Sequence, residues 1–400
     1  MARSLLFAVT LATVFLAALQ VSSAIPQFSA LTGNRCSNCH VNPGGGGTRN
    51  ELGWYSWYDV SVIPRTSDAL DWLYRSDESN QYFGDKVIFG MDLRVQNTRG
   101  FAEGAERKTF PMQAALYAAY TPVKAVTLEG SFNLAALRQR PNTDTRVVYP
   151  GQRMGSYSAL VRVSDSLPMI RTGLIRPSIG MRYDDHTMAP YSYANAGGGR
   201  DTYLAPDWAE YGAEVTYETL RWLTLQAGVF GSSALAQMRL PGTSGSAPRA
   251  AIDGNAPTVS ARAVVWPRFV NDLVNTWVGG SYLVNGDFSI ASGFVGVGLS
   301  DHVSVMADYT AVRKTNVISS GNVMAELMWQ IYSPLFVYGR YEHYRTEFGA
   351  GTSTVETNAA VLGSQIFLLP YVELRPEYRI WDTALDGTSN RWNIQLHIFY

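Results

Sequence analysis

The feature that most limits what this chain can fold into is a period-two alternation that begins near Asp85 and recurs to the C-terminus. In Val87-Ile88-Phe89-Gly90-Met91-Asp92-Leu93-Arg94-Val95-Gln96 every odd position is apolar, and the even positions include Asp92, Arg94 and Gln96. Glu210 to Glu218, Val323 to Gln330 and Tyr371 to Arg379 repeat the pattern. Alternate side chains of a strand point to opposite faces, so each run has one apolar and one polar face. A soluble sandwich alternates as well. These runs, however, are about ten residues long, the length of a tilted membrane-crossing strand. The expected fold is all-β: a transmembrane antiparallel β-barrel with an apolar exterior and a polar lumen.

The connections fall into two classes. Short polar or proline-containing turns occur at Thr121-Pro122, Asp165 to Pro168, Glu218 to Arg221, Ser300-Asp301, Ser333-Pro334 and near Pro370. Most intervening connections are longer, among them Arg99 to Thr109, Gln139 to Gln152, Ser178 to Ala205 and Ser233 to Pro257. Outer-membrane barrels show short turns at one end and long loops at the other, with an even strand count; pairing the runs gives about 16 strands. The last run, Trp392 to Tyr400, alternates up to an aromatic end and is similar to the C-terminal strand signal of outer-membrane proteins. The barrel is expected over 85–400.

Composition agrees. Hydrophobic residues make up 46% and charged residues 16%, with 36 Gly, 23 Tyr and 10 Trp, a mixture suited to strands with aromatic belts. The formal net charge is -1, with no basic excess to suit nucleic acid. Past the N-terminus no apolar run is long enough for a helical span. Residues 1–24 read as a secretory signal: Arg3, an apolar core from Leu5 to Leu19, then Ser22 and Ala24, with mature chain expected from Ile25.

Between the two, residues 25–80 form a separate small unit. It carries Cys36-Ser37-Asn38-Cys39-His40, the C-x-x-C-H attachment signature of a c-type haem. The thiols add to the haem vinyl groups, the spacer matches their separation, and the adjacent imidazole becomes the proximal iron ligand. A structural zinc site wants four N/S ligands, and no second Cys/His pair lies nearby. A thioredoxin-type pair wants a βαβ setting. Cys36 and Cys39 are the only cysteines. The expected cofactor is one covalent haem c, in an exported protein. Gly44 to Gly47 follow, read equally as a tight turn near the porphyrin or as a linker. Trp54, Tyr55, Trp57, Tyr58, Trp72 and Tyr74 then supply an aromatic cluster. A unit this small is marginal alone and needs a neighbour, so a plug in the barrel is one reading.

Parity places Lys86, Asp92, Arg94, Glu129, Arg162, Glu210, Glu214, Glu326, Arg340, Glu342, Glu373, Arg375, Glu377 and Arg379 on the lumen side. Most are expected to be a solvated wall, some to hold the plug. For a sixth iron ligand the candidates are His302, His397 and Met306, with Met324 and Met328 also inward; His186 falls in a long loop and His343 on the less polar parity.

A monohaem motif followed by a porin-like barrel resembles the fused cytochrome–porins of the bacterial outer membrane, whose members include Fe(II) oxidases. Pro26-Gln27-Phe28-Ser29-Ala30-Leu31-Thr32-Gly33 before Cys36 is similar to that family's Pro, Phe and Thr-Gly preceding C-x-x-C-H. Where an aromatic-proline pair is expected after the motif, this chain has Val41-Asn42-Pro43 and the glycine run. The resemblance implies haem thioethers to Cys36 and Cys39 and iron ligation by His40. It also implies electron transfer from an extracellular donor such as Fe(II) to a periplasmic cytochrome, an Fe(II):cytochrome c oxidoreductase if the chain is an enzyme. The alternatives are outward transfer to an extracellular acceptor, a solute porin with an accessory haem, or a soluble periplasmic haem enzyme. For the last, the chain lacks a G-x-S-x-G elbow, an H-E-x-x-H pair and a Walker loop.

Overall fold

A computed structural model describes residues 26–63, 79–100, 107–137, 151–181, 192–194, 200–205, 207–240, 250–269, 273–349, 351, 353–383 and 387–400. The expected signal segment, Trp72, Tyr74 and His186 lie outside the described residues.

The alternating runs form a closed antiparallel barrel of sixteen strands. They are β1 (Val87–Gly100), β2 (Lys108–Val123), β3 (Val126–Asn133), β4 (Gly155–Val161), β5 (Met169–Ile175), β6 (Glu210–Tyr217), β7 (Leu223–Phe230) and β8 (Thr258–Val265). The second half comprises β9 (Val274–Asn285), β10 (Phe288–Leu299), β11 (Val303–Lys314), β12 (Ile318–Tyr332), β13 (Leu335–Phe348), β14 (Ser353–Leu369), β15 (Val372–Thr383) and β16 (Gly387–Phe399). Each pairs with the next in sequence, and β16 returns to β1 with Asp92 opposite Phe399 and Gly100 opposite Arg391. Closure leaves no unpaired edge, which is what lets a sheet cross lipid.

The faces follow the parity of the sequence. On β12, Asn322, Met324, Glu326 and Met328 are buried in the lumen, while Val323, Leu327 and Trp329 face outward. Phe89, Leu93, Leu116, Phe132, Tyr211 and Ile394 extend the apolar exterior around the wall.

One end carries only short connections between consecutive strands, from 124–125 to 370–371. At the other end 134–154, 176–209 and 231–257 are long, whereas 101–107 and the four connections in the second half span two to seven residues. The expectation that most loops at that end are long therefore holds for the first half alone. The reason is local: Gly286 (φ 56°) and Asn316 (φ 59°) accept the left-handed backbone of a tight hairpin. Thr121-Pro122 also lies inside β2 rather than in a turn; the ladder shifts register between Tyr120 and Val123, and the turn follows at 124–125.

The leading residues enter the barrel at its short-turn end. Helix α1 (Pro26–Thr32) is buried against β9, β10 and β11. A Cβ on Gly298 would stand 1.9 Å from the Ala30 carbonyl oxygen, so this approach requires glycine on β10. Asn275 Nδ2 donates to the Leu31 carbonyl at 2.8 Å. Gly33 (φ 67°) closes α1, its N–H bonded to Ser29 O at 2.9 Å. A one-turn helix α2 (Cys36–Cys39) and a short α3 (Glu51–Tyr55), capped by Asn50 Oδ1 accepting from Gly53 N–H, follow.

Candidate functional site

The motif occupies one turn of backbone. Cys36 and Cys39 are three apart on α2, so their side chains lie on one side of the turn. His40 N–H donates to Cys36 O at 2.9 Å and leaves the helix in extended conformation. His40 then pairs with Arg49 in an antiparallel bridge, with Val41 N–H to Thr48 O at 3.1 Å and Asn50 N–H to Cys39 O at 3.0 Å on either side. The loop between these two short arms is the glycine run. Asn42 starts it, accepting from Gly44 N–H through Oδ1 and from Gly45 N–H through its carbonyl. Gly45, Gly46 and Gly47 have φ of 82°, 70° and 69°. Three successive left-handed residues are a conformation other residue types adopt only at cost. The run is thus a defined turn, not a linker.

Close packing fixes the motif further. A Cβ on Gly53 would lie 2.1 Å from Cys39 O, so α3 rests directly on the second cysteine. A Cβ on Gly45 would lie 3.3 Å from Cys36 Sγ. Cys36 is half-buried, Cys39 is buried, and no disulfide joins them. His40 is buried as well. Two thiols on one side of a turn, an imidazole on the next residue and bare glycine beside the first sulfur fit the covalent attachment of a haem.

Beneath the motif lies an aromatic cluster drawn from both parts of the chain. Phe28, Trp54 and Trp57 pack with Phe336, Phe367, Tyr371 and Phe399 of the barrel. Trp57 stacks on Phe367 at 4.3 Å between centroids, and Trp54 stacks on Tyr371 at 5.4 Å. Burying each such ring contributes about 1.5–3 kcal/mol. Tyr55 instead points outward and stacks on Tyr58. On one side of the motif, Ser37 and Asn38 line a cleft at the short-turn rim with Arg35, Arg162 and Glu218. On the other, Gly46 and Gly47 line a polar chamber in the lumen with Glu129, Arg153, Arg171 and Asp207.

The expected lumen charges are largely where parity put them. Asp92, Arg94, Glu210, Glu214, Glu326, Arg340, Glu342, Glu373, Glu377 and Arg379 are buried on the inner face, with Glu129 and Arg375 partly buried there. Lys86 and Arg162 fall just outside β1 and β4 and are exposed, because the alternation of the sequence runs one residue past the strand ends, where the wall no longer fixes which way a side chain points. Many inner charges pair with one another along the wall: Arg171 with Glu214 at 3.0 Å, Arg340 with Glu342 at 2.8 Å, Arg379 with Glu377 at 2.8 Å. Asp92 differs in reaching the leading segment, with Arg49 Nη2 at 3.5 Å.

The three sixth-ligand candidates part company. Each ring nitrogen of His397 lies 2.9 Å from a carboxylate oxygen, Nε2 from Asp92 and Nδ1 from Glu373, so both edges of the ring that could reach an iron are already occupied. Met306 is buried among Ala30, Trp277, Phe294, Met324 and Tyr344. His302 sits half-exposed in the β10–β11 turn, its Nδ1 against Ser300 O. Partial burial pushes the carboxyl of neighbouring Asp301 above the usual range, with His302 drawing it the other way. His343 lies on the outer parity, its Nδ1 2.9 Å from Asn358 Oδ1.

Arg49 escaped the sequence reading. It lies outside any alternating run, and its one cue was being the first charged residue after the motif.

No protein-family model matches the chain, and no curated protein matches it. Solved structures do. OprB of Pseudomonas putida superposes with a TM-score of 0.54 at 12% identity, covering 86% of this chain and 99% of OprB. OmpF of Salmonella typhi also reaches 0.54, at 10% identity over 80% of this chain and 100% of OmpF. The fold is porin-like. OmpT of Vibrio cholerae, an outer membrane protein, aligns over 78% of this chain and 99% of its own length at 12% identity and a TM-score of 0.49.

Proposed function

We propose that the chain is an outer-membrane electron conduit in which Cys36 and Cys39 carry one covalent haem and His40 is its proximal ligand. Electrons would pass from an extracellular donor such as Fe(II) to a periplasmic cytochrome. One observation carries this reading: the C-x-x-C-H turn is packed inside the mouth of a closed barrel, between the rim cleft at Ser37 and Asn38 and the lumen chamber at Gly46 and Gly47. Lipid blocks ions and insulates against electrons. A redox group seated in the hole can be approached from both sides, and a mouth filled by residues 26–63 is ill-suited to free diffusion of solutes.

An iron porphyrin would supply one-electron exchange there without making or breaking bonds. The chain's own part is to hold and to shield. Cys36 and Cys39 fix the attachment on one turn. The Asn42–Gly47 turn keeps the first sulfur uncrowded. Trp54 and Trp57 anchor the segment to the wall and keep water from its underside.

The test is anaerobic addition of Fe(II) to purified protein in detergent. The reading expects one haem added in the mass of the chain, rapid reduction of a low-spin c-type spectrum, and loss of that spectrum in His40→Ala. The polar chamber favours a second reading, a solute porin with an accessory haem. A haem that Fe(II) leaves oxidised, together with solute conductance in planar bilayers, would select it. Reduction by a periplasmic cytochrome followed by oxidation by an extracellular acceptor would reverse the direction.

A further inference from the structure

Arg49 is a buried cation that lacks a full set of partners. Its exposure is 9%. It stacks over the Phe399 ring at 4.7 Å. Nη2 is 3.5 Å from Asp92, a long contact for a guanidinium, and Nη1 is buried with no hydrogen-bond partner. Asp92 is held more closely by others: His397 Nε2 at 2.9 Å and the Tyr117 hydroxyl, which donates at 2.9 Å. An under-paired buried charge is costly, and a guanidinium matches a carboxylate with two parallel hydrogen bonds.

Position says which carboxylate is missing. Arg49 is directly opposite His40 in the antiparallel bridge. Residues opposed in this way point to the same face, with Cβ atoms about 5 Å apart. A second buried donor without a partner, Trp54 Nε1, belongs to the same aromatic cluster as Phe399. Asp92 and Glu373 are already engaged by the His397 ring, Asp92 at Nε2 and Glu373 at Nδ1. A haem brings two propionate carboxylates.

We infer that Arg49 is the anchor for a propionate of the haem carried beside it on His40, with Trp54 Nε1 as a second donor. The inference rests on the proposed function. Arg49 does not react; it positions the group and sets the charge around it. Removing its cation favours the oxidised, more positive iron.

The test uses the full chain matured with haem, as wild type, Arg49→Gln and Arg49→Lys. All three are expected to carry one haem by mass. The midpoint potential of Arg49→Gln should fall by at least a tenfold shift in the reduction equilibrium, about 59 mV for one electron. Arg49→Lys should recover part of the fall. In the wild type, the resonance Raman propionate-bending mode should be that of a hydrogen-bonded propionate. This last measurement needs no variant, so it decides even if Arg49→Gln fails to assemble. A wild-type mode typical of a water-solvated propionate overturns the inference, as does an unchanged potential in Arg49→Gln, which would assign Nη1 to a carboxylate of the chain itself. A wild-type chain without haem overturns the proposed function, and this inference with it. A haem-loaded chain whose potential ignores Arg49 overturns this inference alone.

Discussion

The indole of Trp57 lies flat against the ring of Phe367, with 4.3 Å between centroids and 27° between planes. One ring belongs to the leading segment, the other to strand β14. The same indole meets Phe28 and Phe399 edge-on. Trp57→Ala should therefore loosen the segment without opening the barrel. A buried Trp or Phe truncated to Ala costs about 3–5 kcal/mol. Limited proteolysis should cleave residues 26–63 much faster than in the wild type, while the heat-modifiable gel mobility of the barrel persists. Equal cleavage rates would mean that this stack does not hold the segment.

Gly45 and Gly47 share a left-handed backbone but not their surroundings. A side chain at Gly45 would meet Cys36 Cβ at 3.2 Å, whereas at Gly47 the nearest atom, on Tyr117, is 4.0 Å away. Both alanine variants incur the left-handed penalty of about 1–2 kcal/mol. Gly45→Ala should in addition lower covalent haem incorporation, read as the ratio of loaded to unloaded chain by intact mass. Gly47→Ala should stay near wild type in that ratio.

Gly298→Val tests the seat of α1. The Cβ would stand 1.9 Å from the Ala30 carbonyl, and backbone cannot yield that far without leaving the wall. The expected outcome is a displaced leading segment in an intact barrel. Single-channel conductance in planar bilayers should rise several-fold over the wild type.

Asp92→Asn removes the carboxylate shared by Arg49 and His397. Breaking a buried charge pair from one side costs about 3–5 kcal/mol. The temperature at which the folded gel band disappears should fall, and by more than in Glu347→Gln, which removes the exposed carboxylate of a surface pair with Arg345 at 3.0 Å.

The barrel was legible because lipid imposes a rule that each strand must obey alone. In β12 and β13 the alternation runs through Trp329 and Phe348 almost without a break, and burial follows it residue by residue. Strands β3 to β8 are shorter, at 7 or 8 residues each, and the loops around them blurred their ends. The C-x-x-C-H motif stands out because it sets fixed residue types at fixed spacing. What surrounds it does not. Asn275, Gly298 and Phe367 are far from Cys36 in sequence, and nothing local in them signals that α1 and Trp57 will lie on them. Arg49 and the His397 contacts with Asp92 and Glu373 are likewise products of closure, which brings β1, β15 and β16 together.

Helix α1 rests on β9 to β11, whereas Trp57 rests on Phe367 of β14 and Phe399 of β16. The seat of residues 26–63 is therefore assembled from strands of the middle and of the end of the barrel. The part of the chain that is made first finds its full set of partners only when the last strands have folded, so its docking reports on completion of the wall.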